Sequence, residues 1–101
     1  MLYAQKEGVQ VLFMVVEHFK EGRAEEIYRR SNQRGRMLPG GLDYIDSWVS
    51  VDLDRCYQLM RCDNESLFRE WLNKWEDLVE FEIVPVITSN EAHEKVLGRQ
   101  P

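Results

Sequence analysis

Six consecutive apolar residues near the start of the chain, from Val11 to Val16, constrain the fold more than any other feature. The β-branched and aromatic residues in and around this run predict a β-strand over residues 9–19. Because side chains in a strand alternate between its two faces, this strand is apolar on both. One face carries Val11, Phe13 and Val15, and the other carries Leu12, Met14 and Val16. Such a strand needs a cover on each side of its sheet.

The rest of the chain divides into helical and strand patterns. Helices are predicted where apolar residues recur every three or four positions, and strands where β-branched and aromatic residues lie between turn signals. After the first strand, the predicted elements are a helix, two strands, a helix, a strand and a short final helix, over residues 23–34, 42–51, 55–62, 65–76, 78–87 and 90–97. The order βαββαβ is that of the ferredoxin-like arrangement.

This order predicts an α+β domain with one four-stranded antiparallel sheet and both main helices on one face. Pro85 has no backbone N–H to donate to a neighbouring strand, so we expect the fourth strand at an edge of the sheet. The helices cover one face of the sheet. A second copy of the chain is the simplest cover for the other face, and the sequence therefore predicts a homodimer.

Charge and composition argue against several classes of partner. The formal net charge of −5 disfavours binding to nucleic acid and to anionic membrane surfaces. No stretch approaches the ~20 apolar residues of a membrane span, and the N-terminus lacks the pattern of a signal peptide. We therefore expect a cytoplasmic protein with Cys56 and Cys62 as free thiols. The scattered His, Cys and carboxylate residues predict no metal site.

Five segments of the sequence resemble a known family. They are Met14 to Phe19, Gly35 to Pro39, Asp46 to Trp48, Cys56 to Met60 and Phe81 to Val86. In these segments the chain resembles a family of short bacterial proteins catalogued only as a domain of unknown function, within the superfamily of dimeric α/β barrels. The resemblance implies two ferredoxin-like sheets facing each other. It also implies an N-terminal extension over residues 1–8, and the length of 101 residues predicts a single domain over residues 9–101.

The wider superfamily contains small monooxygenases that use no metal, lactone isomerases, haem-degrading enzymes and non-catalytic members. The resemblance therefore implies a cavity for a small molecule, and it does not specify a reaction. We expect no bound cofactor.

Two polar residues are candidates for chemistry. His18 is the only histidine in the predicted sheet, and imidazole groups suit acid–base catalysis at neutral pH. The alternative for His18 is a strand-end residue that hydrogen-bonds a neighbour. Glu17 precedes it directly, so the two side chains are predicted on opposite faces. Arg36 follows the first helix and is a candidate to hold an anionic substrate, with an ordinary surface charge as the alternative.

Four aromatic residues are candidates for ligand binding. Tyr44 and Trp48 are predicted to share one face of the second strand with Asp46, as a cavity wall or as a dimer contact. Trp71 and Trp75 lie one turn apart on the apolar face of the second helix. Such a stripe stacks on a ligand or packs in the core.

The leading hypothesis is a homodimeric barrel protein that binds a small, largely apolar molecule between its sheet and its helices. Any catalysis would be cofactor-free oxygenation or isomerisation, with His18 as the acid or base. The alternative is a non-catalytic stress or accessory protein that functions through binding or assembly.

Overall fold

The computed structural model describes residues 11–98 and contains four strands and three helices. The predicted extension, residues 1–8, lies outside the described residues, as do residues 9, 10 and 99–101. The elements are β1 (Val11–Phe19), α1 (Ala24–Arg34), β2 (Asp43–Val49), β3 (Arg55–Cys62), α2 (Ser66–Leu72), β4 (Val79–Val86) and α3 (Ser89–Leu97). In this part of the chain, no helix is long and apolar enough to cross a membrane.

The four strands form one sheet in the order β2-β3-β1-β4. Each neighbouring pair is antiparallel. The predicted ferredoxin-like arrangement is therefore confirmed. Pro85 lies on β4, an edge strand, where its missing N–H removes no bond from a central ladder.

The core lies between the sheet and the two helices α1 and α2. Phe13 and Val15 of β1 are buried there, against Ile27 of α1 and Phe68 and Trp71 of α2. The rings of Phe13 and Phe68 meet edge to face with their centroids 5.0 Å apart. Burial of side chains this large contributes about 1.5–3 kcal/mol each, so this face of β1 supplies much of the driving force for folding.

The end of α2 and the start of α3 differ from the predicted ones. Helix α2 ends at Leu72 instead of residue 76, and turns then lead to β4. Helix α3 is capped by Thr88 and begins at Ser89, one residue before the predicted start at residue 90. Thr88 is extended, and its side chain accepts a hydrogen bond from the Glu91 N–H, so it forms the capping box and Ser89 becomes the first helical residue.

A bulge in β2 corrects the prediction that Tyr44, Asp46 and Trp48 share a face. Tyr44 pairs with Met60 of β3, but Asp46 pairs with the adjacent residue, Leu59. The extra residue between them shifts the alternation by one position. Tyr44 therefore lies on the face covered by the helices, and Asp46 and Trp48 lie on the opposite face.

The opposite, open face of the sheet has an apolar centre with charged residues near its margins. The open face comprises Leu12, Met14, Val16, His18, Asp43, Asp46, Trp48, Arg55, Tyr57, Leu59, Arg61, Glu80, Glu82, Val84 and Val86. None of these side chains is buried in the described part of the chain, and Trp48 is 52% exposed. The prediction that β1 is apolar on both faces is thus confirmed, with one face in the core and the other on the surface.

Candidate functional site

A cavity of about 110 Å³ lies between α1 and the helix-covered face of the sheet. Strands β1, β2 and β3 form its floor, and the residues of α2 and the turn that follows close one side. It is lined by Glu17, Phe19, Ile27, Tyr28, Ser31, Arg36, Ser47, Val49, Cys56, Gln58, Trp71 and Trp75. Most of these side chains are apolar or aromatic, and a few convergent polar groups interrupt them, which is the usual composition of a small-molecule site.

Glu17 is the buried carboxyl group on the floor of this cavity. It follows Phe13 and Val15 on the same face of β1, and it pairs across the ladder with Cys56 of β3. Only 8% of its surface is exposed. Burial disfavours the charged carboxylate and raises the pKa of Glu17 from 4.5 to about 7, although Gln58 and the Arg36 charge act in the opposite direction. Both protonation states are therefore accessible at neutral pH.

A chain of hydrogen bonds connects Glu17 to Arg36 through the side chain of Gln58. The amide nitrogen of Gln58 donates to Oε2 of Glu17. The amide oxygen of Gln58 accepts a hydrogen bond of 3.1 Å from Nε of Arg36. Because one end of the amide must donate and the other must accept, these two partners determine the orientation of Gln58.

Arg36 is held at the cavity by both its backbone and its side chain. Its carbonyl oxygen accepts hydrogen bonds from the indole nitrogens of Trp71 (2.9 Å) and Trp75 (3.1 Å). Its guanidinium carbon lies 3.6 Å from the centre of the Tyr44 ring, which is a cation–π contact. The positive charge of Arg36 is therefore positioned by the core of the domain and by Tyr44, which the bulge in β2 places on this face.

Cys56 and Tyr28 complete the set of ionisable groups around Glu17. Burial and the nearby Glu17 raise the pKa of the Cys56 thiol to about 12, so it stays protonated at neutral pH. Burial is the main cause that raises the pKa of Tyr28, and the charges of Cys56 and Glu17 raise it further. Both groups are therefore neutral at physiological pH, and Glu17 is the one whose proton occupancy changes there.

The structure divides the six predicted site residues between the two faces of the sheet. Arg36, Trp71 and Trp75 line the cavity. Tyr44 lies on the same face, where it contacts Arg36.

The other two predicted residues, His18 and Trp48, lie on the open face. There His18 is beside Glu82, with 3.6 Å between Nε2 and Oε1, and Trp48 pairs with Tyr57. As expected for adjacent residues, His18 and Glu17 point to opposite faces. His18 therefore does not reach the cavity.

Sequence reasoning missed Glu17 and Gln58, which form the polar centre of the site. The alternation of the strands gave only a partial signal. Glu17 is in phase with Phe13 and Val15, and Gln58 with Met60, but His18 is equally in phase with the apolar Met14 and Val16. A polar residue in phase with a buried apolar series predicts a buried polar group, and such groups need partners. Within residues 11–98, no group of three or more His, Cys, Asp or Glu side chains is arranged to hold a metal ion.

The solved structures similar to this chain include the following two. One is a protein from Bacteriodes thetaiotaomicron VPI-5482 that is described as a candidate antibiotic biosynthesis monooxygenase. It has a TM-score of 0.52 and 13% identity, and the match covers 79% of this chain and 90% of that one. The other is PA3566 from Pseudomonas aeruginosa, with a TM-score of 0.52, 15% identity, and coverage of 82% and 100%. At these identities the similarity establishes the fold alone.

The family resemblance carried by the sequence segments is confirmed. No curated protein matches the sequence significantly. A family model described as a domain of unknown function, DUF3303, matches residues 11–100, which include all of the elements from β1 to α3. The chain therefore belongs to the DUF3303 family and has the ferredoxin-like fold.

Proposed function

We propose that this protein binds a small molecule with an apolar body and one polar group in the cavity beneath α1. The observation that carries this proposal is the buried carboxyl of Glu17 on the floor of a cavity whose other walls are mostly apolar. A buried carboxyl needs hydrogen-bond partners, since burial without them costs several kcal/mol. Gln58 engages one of the two carboxyl oxygens of Glu17, and a bound polar group would provide a partner for the other.

The size of the cavity limits the ligand. A volume of about 110 Å³ is somewhat below the ~150 Å³ that holds benzene in an engineered apolar cavity. One small ring is therefore the upper limit for the group at the floor. Tyr28 and Arg36 line the cavity and are exposed, so substituents on the ring can extend past them toward solvent.

Among the reactions that the sequence resemblance implies, the site favours proton transfer. Glu17 can hold or release a proton near pH 7, while the Cys56 thiol stays neutral and is a weak nucleophile. Acid–base chemistry of this kind requires no cofactor.

The open face of the sheet supports the proposal that the functional form is a homodimer. Neighbouring strands lie about 4.8 Å apart, and residues along a strand are spaced by about 3.3 Å. Four strands of about eight residues therefore cover roughly 500 Å² in projection. A stable interface buries about 800 Å² on each partner, so a face of this size supplies most of what is needed. Met14, Val16 and Leu59 provide its apolar centre. A copy of the same chain presents a matching surface.

Binding is tested by titrating the protein with phenol and following the indole N–H signals in ¹H–¹⁵N NMR spectra. The chain has three tryptophans, of which Trp71 and Trp75 line the cavity and Trp48 lies on the open face. We expect phenol to shift the first two signals and to leave the third unchanged. Native mass spectrometry of gently purified protein then shows whether a natural ligand is retained.

A pair of variants on α1 provides the control. Ser31 lines the cavity and its neighbour Asn32 is exposed. Ser31→Phe should fill the cavity and abolish the phenol-induced shifts, whereas Asn32→Phe should preserve them. Shifts confined to Trp48, or shifts that persist in Ser31→Phe, would place the ligand elsewhere and contradict the proposal.

A further inference from the structure

We propose that the cavity catalyses a 1,3-proton shift in a small unsaturated ketone, with Glu17 as the acid–base catalytic residue and Arg36 as the donor to the carbonyl oxygen. The product is the isomer in which the carbon–carbon double bond is conjugated with the carbonyl group. This inference rests on the proposed function, because the ketone must first bind in the cavity.

The position of Glu17 suits a base that returns the proton it takes. The hydrogen bond from Gln58 engages Oε2 of Glu17, which leaves Oε1 as the oxygen available to a substrate. The side chain is nearly closed off from solvent, so a proton removed from the substrate stays on the carboxyl group instead of exchanging at once with water. A carboxyl that titrates near neutrality is also matched to both halves of the reaction.

Arg36 suits the second role, that of stabilising the oxygen on which negative charge develops. Gln58 engages its Nε, and the two terminal nitrogens of the guanidinium carry further donors. One glutamine side chain separates this cation from Glu17. A ketone that lies along Gln58 can therefore direct its oxygen to Arg36 and its acidic carbon to Glu17. A positioned donor of this kind stabilises an enolate without reorganisation during the reaction.

The reaction balances without a further reactant. The Glu17 carboxylate removes a proton from the carbon between the carbonyl group and the double bond. The electron pair of that C–H bond forms a dienolate, whose oxygen accepts hydrogen bonds from Arg36. The same carboxyl group then delivers the proton to the far carbon of the original double bond. The carbonyl group re-forms, and the double bond has moved into conjugation.

The surroundings of the site are compatible with a conjugated product. Conjugated ketones react with thiolates, but burial raises the pKa of Cys56 to about 12 and so keeps its thiol protonated. Trp71 and Trp75 supply apolar walls for the ring of the substrate. The site therefore favours release of the ketone over its capture as a thiol adduct.

The test uses 3-cyclohexen-1-one, a ring of the size that the cavity admits, and follows the ultraviolet absorbance of 2-cyclohexen-1-one. We expect the protein to accelerate conversion above the rate in buffer alone. Glu17→Gln should reduce this acceleration at least ~100-fold, the usual minimum for loss of an acid–base residue. The matched control is Glu80→Gln, the same change on the open face, which should retain full activity.

A binding measurement on the same proteins separates this inference from the proposed function. Unreactive cyclohexanone should shift the indole signals of Trp71 and Trp75 in both the parent protein and Glu17→Gln. If cyclohexanone binds but isomerisation is no faster than in buffer, or Glu17→Gln is as active as the parent, the catalytic assignment is overturned and binding stands. If cyclohexanone does not bind, both proposals fail together.

Discussion

The buried carboxyl of Glu17 makes the stability of this protein depend on pH in an unusual direction. In the folded protein its pKa is about 7, and in the unfolded chain it returns to the ordinary value of 4.5. Between these pH values the unfolded chain binds fewer protons than the folded one, so raising the pH favours unfolding. The contribution is complete below about pH 4.5, declines as the pH rises toward about 7, and is lost above it.

The magnitude follows from the same two values. At about 1.4 kcal/mol for each pH unit, ionisation of Glu17 removes roughly 3 kcal/mol of folding free energy by pH 8. Glu17→Gln stays neutral and can still accept the hydrogen bond from the amide nitrogen of Gln58. We therefore expect the variant to match the parent protein near pH 4.5 and to exceed its stability at pH 8.

Urea unfolding, followed by tryptophan fluorescence at a fixed protein concentration, measures this difference. With an m value of about 1.5 kcal/mol per molar urea, the midpoint of Glu17→Gln should lie roughly 2 M above that of the parent at pH 8. The two midpoints should nearly coincide at pH 4.5. Glu80→Gln removes an exposed carboxyl from β4 of the same sheet. Its unfolding midpoint should follow that of the parent at both pH values. Parallel profiles for the parent and Glu17→Gln would refute the burial argument.

Two further substitutions probe the proposed dimer interface and the loop before β2. If the open face joins two copies, Leu59→Asp should give a monomer in light scattering, because it places a charge at the centre of that face. Asn32→Asp on α1 should leave the oligomeric state of the parent unchanged, and a parent protein that is monomeric at micromolar concentration would contradict the proposed dimer. Gly41→Ala should cost about 1–3 kcal/mol in urea unfolding, because Gly41 has a φ of +95° and its added Cβ would lie 3.0 Å from Leu67 Cδ1. Gly40→Ala meets no atom within 4 Å and should have little effect, so equal losses in the two variants would exclude this explanation.

Much of the fold was predictable because the features that determine it repeat along the chain. The apolar run of β1 indicated a strand with two apolar faces, and Pro85 indicated an edge strand. The bulge in β2 was not predictable, since one extra residue leaves no periodic signal. The end of α2 at Leu72 was missed for a related reason, because Trp75 continues the apolar spacing of the helix from a turn.

The candidate site was only partly predictable, because residue type and residue environment pointed in different directions. His18 was selected as the only histidine of the predicted sheet, but its strand phase places it on the open face. Glu17 ordinarily titrates well below neutral pH, and only its burial changes that. Burial depends on which face the helices cover, and a single strand that is apolar on both faces does not reveal this. Arg36 was found from its position directly after the first helix, and Trp71 and Trp75 were found from their spacing on the apolar face of the second helix.

The two indole hydrogen bonds to the Arg36 carbonyl determine how a molecule can enter the cavity. They tie the segment after α1 to Trp71 and Trp75, which are both buried, so this backbone cannot open like a hinged flap without disrupting the core. Rotation of the exposed Tyr28 ring, which lines the cavity, breaks neither of these hydrogen bonds. Such rotations take picoseconds to nanoseconds, far less than the microseconds or longer of a collective loop opening. We infer that a small molecule can enter the cavity by side-chain rotation alone, without a collective opening of this backbone segment.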